Sequence, residues 1–133
     1  MLKTSAQRVE RSVSMPKLVI VDDDDQVREL VREMAQQALP SAEFSEYNLA
    51  TNALRAIETG SADLLITNCH MPDMDGPTLV KTLRDRRNTI PIIMVSGSDD
   101  ARKLGEAAGI DRFVPKDLLH RELTKAIFSV FKQ

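Results

Sequence analysis

The chain is expected to fold as an α/β domain, a five-stranded parallel sheet with five helices on both faces. Two observations lead there. Short apolar runs recur without polar alternation, and between them lie stretches whose apolar residues return every three or four positions. A third observation gives the sheet a functional end: polar and charged residues stand where several of the apolar runs stop. Strict alternation of strand and helix implies parallel strands joined by right-handed crossovers. In open sheets of this kind a ligand binds outside the carboxyl ends of the strands, where the strand order reverses.

The elements follow in order. KLVIV (17–21) is rich in β-branched residues and reads as a strand covered on both faces. Val27, Leu30, Val31, Met34 and Ala38 then fall at helical spacing. AEFSEY (42–47) is a weaker strand, placed near an edge because it alternates with polar residues. Ala53, Leu54 and Ile57 mark a second helix that stops at the glycine of ETG. DLLIT (63–67) is the third strand, followed by a helix carrying Leu79, Val80 and Leu83. PIIMV (91–95) is the fourth, and its helix is expected to turn Leu104, Ala107 and Ala108 inward before ending at Gly109. RFVP (112–115) closes the sheet, and Leu119, Leu123, Ala126, Ile127 and Val130 form the inner stripe of the last helix.

Length and composition limit the functions available. The 133 residues suit one domain with a real core. With 18 basic against 20 acidic residues, the chain lacks the positive excess that direct nucleic-acid binding requires. Its single cysteine, Cys69, excludes an internal disulfide, and no apolar run approaches the roughly 20 residues of a membrane helix. A cytoplasmic location is the expectation. Residues 1–15 are polar, without the apolar core of about 7 to 15 residues that a secretion signal carries, and are expected to form a flexible arm or a short extra helix.

The strand ends carry the chemistry. After the first strand stand Asp22, Asp23, Asp24 and Asp25; after the third, Asn68; after the fourth, Ser96; after the fifth, Lys116. Asp25 can cap the following helix, and acids near a helix N-terminus are favourable. Asp22 and Asp23 need another explanation, because two carboxylates leaving a buried strand repel each other until a cation or a proton relieves them. Magnesium is the natural ion, being hard and oxygen-seeking. Lys116 can then oppose a phosphoryl oxygen, and Ser96 can donate its hydroxyl to another. Asp75 is expected to stabilise the turn at Gly76, Cys69 to fill space beside the strand, and His70 to be a surface residue.

Together, LVIVDDDDQVREL, DLLITNCHMPDMDG, IPIIMVSGS and AGIDRFVPKD resemble the receiver domain of bacterial two-component response regulators, over about residues 16–131. The resemblance implies strand order 2-1-3-4-5 and a receiver domain over residues 16–133. It makes Asp22 and Asp23 the acidic pair that holds magnesium, Asp23 more directly, with the backbone carbonyl of His70 as a further ligand. Ser96 takes the place of the switch hydroxyl, Phe113 that of the aromatic that follows it inward, and Lys116 that of the phosphoryl-pairing lysine. Asn68 stands where the family has its phosphoacceptor aspartate. The implied partners are a histidine kinase or phosphotransfer protein, and a downstream protein on the face of the fourth helix, fifth strand and fifth helix. No direct contact with nucleic acid or membrane is implied, and the expected role is a signalling phosphoprotein module, not an enzyme.

Asn68 changes that expectation chemically. An acyl phosphate forms when a carboxylate oxygen attacks phosphorus, and an amide offers no such nucleophile. The amide is nearly isosteric, so the fold should tolerate it, while the lost charge should weaken magnesium binding and reduce Asn68 to a poor metal contact. Three readings follow. The acceptor was replaced to block phosphorylation, as the intact acid pair suggests. Alternatively the chain is a naturally atypical, phosphorylation-independent interaction receiver; the short stretch between Ser96 and Lys116, and Asp117 after Lys116 where the family has proline, favour this. A third reading, a magnesium-dependent phosphohydrolase with Asp22 or Asp23 as nucleophile, lacks support from any cap insertion.

Overall fold

Residues 15–131 are described by a computed structural model, so the expectation for the first 15 residues lies, apart from Met15, outside the described residues. Five strands alternate with five helices: β1 (Lys17–Val21), α1 (Asp25–Ala38), β2 (Glu43–Tyr47), α2 (Ala50–Thr59), β3 (Leu64–Asn68), α3 (Gly76–Asp85), β4 (Ile92–Ser96), α4 (Asp99–Ala108), β5 (Arg112–Pro115) and α5 (Leu119–Phe131). A single 3-10 turn, Lys116–Leu118, joins β5 to α5. All pairings are parallel, in the order β2-β1-β3-β4-β5. The order in which the chain adds strands reverses between β1 and β3, whose carboxyl ends lie side by side.

Side chains in a strand alternate between faces, so an uninterrupted apolar run serves two cores at once. On one face Leu18, Ile20, Leu64, Ile66, Ile93, Val95 and Val114 pack beneath α1 and α5. On the other, Val19, Val21, Leu65, Ile92 and Met94 pack beneath α2, α3 and α4. β3 and β4 are buried along their whole length, whereas β2 lies at the edge and keeps three of its five residues exposed. The weaker pattern of that strand therefore reflects a real difference in cover.

Two expectations require correction. The inner face of α4 is made by Ala101 and Gly105, while Leu104 is 51% exposed and Ala107 lies outside. Close packing accompanies the rotation: a Cβ on Gly105 would stand 2.8 Å from Cδ1 of Ile110 and 2.9 Å from Sδ of Met94, so these side-chain ends would have to shift to admit one. At the start of α1 the cap is Asp24, not Asp25. The Asp24 side chain accepts from the N–H groups of Gln26 and Val27, and Asp25 instead pairs with Arg28 at 2.7 Å.

Candidate functional site

The carboxyl ends of β1, β3, β4 and β5 bring the polar residues together. Asp22 continues the β1 ladder through its N–H to the Tyr47 carbonyl, which turns its side chain inward and leaves the residue 3% exposed. Its Oδ1 accepts from the Asp24 N–H at 2.9 Å, and its Oδ2 lies 3.7 Å from Lys116 Nζ. Arg28 Nη1 donates to the Asp22 carbonyl at 2.8 Å, tying α1 to the strand end. Burial pushes the Asp22 carboxyl above the usual carboxylate range, and Asp23 and Asp24 push the same way. The Asp24 N–H and the Lys116 ammonium pull against them. Asp23, by contrast, is exposed.

Asn68 is the last residue of β3 and is buried. Its amide nitrogen donates to the His70 carbonyl at 2.8 Å and to Asp23 Oδ1 at 3.4 Å. The loop beyond it is tightly held. Gly76 N–H donates to the Cys69 carbonyl at 2.6 Å, and a Cβ on Gly76 would come within 2.3 Å of the Asn68 carbonyl oxygen, so this close approach requires glycine. Asp75 caps α3 by accepting from the Thr78 N–H at 2.8 Å, which is the turn-stabilising role expected of it. Cys69 is buried, and burial, aided by the charge of Asp75, pushes its thiol up; it is a packing residue, as expected.

Ser96 ends β4, buried, and its Oγ accepts from the Ser98 N–H at 3.3 Å. Phe113 on β5 is half-buried beneath the Arg102 guanidinium, 4.7 Å from the ring centroid. Neither joins the hydrogen bonds of the acid group. The side chains of Asp22, Asp23, Asn68 and Lys116, with the His70 carbonyl, thus form one cluster, and Ser96 and Phe113 lie on the neighbouring strands.

One residue of this region was missed by sequence reasoning. Asp73 reaches back to α2 and accepts from the N–H groups of Ala50 at 3.2 Å and Thr51 at 2.9 Å. The signal was indirect: α2 begins after Leu49, which has no capping side chain. Arg84 was missed in the same way. It donates to the carbonyls of Gly109, Asn88 and Ile90 and to Asp111, joining the ends of α3 and α4 to the start of β5.

Comparison with known proteins decides the family. The family model for the response regulator receiver domain matches residues 18–128. The chain belongs to the response regulator receiver domains. This receiver is 28% identical over 121 residues to the chemotaxis protein CheY of Pseudomonas aeruginosa, covering 88% of the chain and 97% of CheY. It is 32% identical over 110 residues to the cyclic di-GMP phosphodiesterase response regulator RpfG of Xanthomonas campestris pv. campestris, covering 80% of the chain but only 29% of RpfG. Among solved structures, a CheY-like receiver domain protein from Methanospirillum hungatei superposes with a TM-score of 0.79 at 25% identity, over 90% of the chain and 95% of that protein. The strand order expected from the resemblance is the one observed.

Receivers generally bind magnesium at their acidic site. Here the Asn68 amide competes with that ion: Asp23 Oδ1 and the His70 carbonyl, both implied ligands, accept from one and the same amide N–H₂ group, which a cation would have to displace. Among the described residues, no three His, Cys, Asp or Glu side chains are placed to hold a metal.

Proposed function

We propose that this receiver takes up no phosphoryl group at position 68 and works as a protein-interaction module of two-component signalling. The observation that carries the reading is Asn68 itself, buried at the end of β3 inside the acid cluster, where the attacking oxygen of a carboxylate would be needed. Asp22 and Asp23 are then an acidic pair with weakened magnesium affinity, and Lys116 serves chiefly to neutralise Asp22. Ser96 and Phe113 hold the switch positions. The module is cytoplasmic and signals without catalysing a reaction; among the described residues no helix is long and apolar enough to cross a membrane.

Its partners are a histidine kinase or phosphotransfer protein and a downstream protein docking on α4, β5 and α5. Supporting that face are the Arg102–Phe113 stack and a cleft of about 230 Å³ between β5 and α5, lined by Arg112, Phe113, Glu122, Lys125 and Ser129. The test is intact-mass measurement after incubation with magnesium and acetyl phosphate. The mass should not change; gain of one phosphoryl group mapped to Asn68 would sink the proposal.

A further inference from the structure

The amide of Asn68 does more than fail to react. Its nitrogen stands between the two oxygens that the family's arrangement would present to a cation, and it gives each of them an N–H. An oxygen acceptor that a metal would polarise is here satisfied by a hydrogen bond, which is the other way to relieve a part-buried polar group. The charges agree. An aspartate at position 68 would set three carboxylates against the single Lys116 ammonium, for a local charge of −2, whereas the amide leaves two carboxylates and one ammonium, for −1. Asp22 is balanced by Lys116 and the Asp24 N–H, and Asp23 meets the Asn68 amide.

We infer that the Asn68 amide is this chain's built-in replacement for the divalent cation, holding the loop between β3 and α3 against the acid pair without an ion. The inference rests on the reading of the chain as a receiver with no acceptor at position 68, and it adds what that residue does instead. Four further hydrogen bonds complete the loop's restraint, and none involves a metal. Gly76 N–H binds the Cys69 carbonyl, Asp75 caps α3, and Asp73 binds the first N–H groups of α2. The site is therefore fixed in one arrangement, independent of magnesium and of phosphate.

Amide hydrogen exchange of residues 69–76 tests this in the parent chain, Asn68→Asp and Asn68→Ala, each in EDTA and in 10 mM magnesium chloride. The parent should exchange at the same slow rate in both. Asn68→Asp should exchange at least about tenfold faster in EDTA, because carboxylate repulsion replaces a bridging donor, and magnesium should restore its protection. Asn68→Ala should exchange fast in both, since it has neither the donor nor the extra charge. Magnesium slowing the parent as much as it slows Asn68→Asp would overturn the inference, and so would equal protection of parent and Asn68→Asp in EDTA. Failure of the underlying reading is separate and visible: it would be a phosphoryl adduct on the parent.

Discussion

Replacing Asp73 by alanine removes what is, among the described residues, the only side-chain acceptor bound to the first N–H groups of α2. That helix has ten residues and starts after Leu49, which supplies no cap, so its amino end depends on a carboxylate from another loop. Loss of a helix cap costs about 0.5–2 kcal/mol, and loss of a negative charge near a helix N-terminus costs about 0.3–1 kcal/mol more at an exposed site. Because Asp73 is exposed, solvent screening favours the lower part of these ranges, and about 1–2 kcal/mol is expected for both effects together. For a domain of this size that corresponds to a fall in Tm of about 4–7 °C. Desolvation is the largest single influence and raises the Asp73 carboxyl, but the hydrogen bonds from Thr51 and Ala50 together outweigh it and hold the group below the usual aspartate range. With the folded pKa depressed, the folded state binds fewer protons than the unfolded one, so the stabilisation is present above the unfolded value, about pH 4. It is lost as the pH falls through the folded value. Thermal unfolding of parent and Asp73→Ala from pH 2.5 to 7 should therefore show curves that converge at the acid end. A Tm difference below about 1 °C at pH 7, or one that persists undiminished at pH 2.5, would refute the cross-loop cap.

Two other substitutions probe the frame around the site. Gly76→Ala should destabilise the domain by at least about 2 kcal/mol in urea unfolding, because its Cβ would meet backbone at 2.3 Å and no flexible side chain can yield; unchanged stability would mean the loop is not held where it lies. Arg84→Met keeps much of the packing but removes the guanidinium donor from three backbone carbonyls and from Asp111, which keeps only the Ile92 N–H, and about 2–4 kcal/mol should be lost. If the variant unfolds within about 0.5 kcal/mol of the parent, those bonds contribute nothing net.

The fold was legible because β1, β3 and β4 are apolar on both faces and the helices between them keep a clean stripe. Where large residues are not the ones that pack, the pattern misleads. Leu104 reads as core, yet it is exposed, and the buried residues of α4 are the small Ala101 and Gly105. Within a run of four acids, composition cannot say which one caps the helix; the extended backbone at Asp24 decides it. The site residues Asp22, Asn68, Ser96 and Lys116 were legible as strand ends. What Asn68 binds was not, nor were the distant partners of Asp73 and Arg84, since those contacts arise only once loops from different strands meet.

The parent chain and Asn68→Asp, each incubated with magnesium and acetyl phosphate and followed by intact mass with site mapping, test the central claim most directly. Asn68→Asp should gain one phosphoryl group at position 68, since the carboxylate returns among Asp22, Asp23 and Lys116, and the parent should gain none. A phosphorylated parent, or an aspartate variant that stays unmodified, would contradict the account.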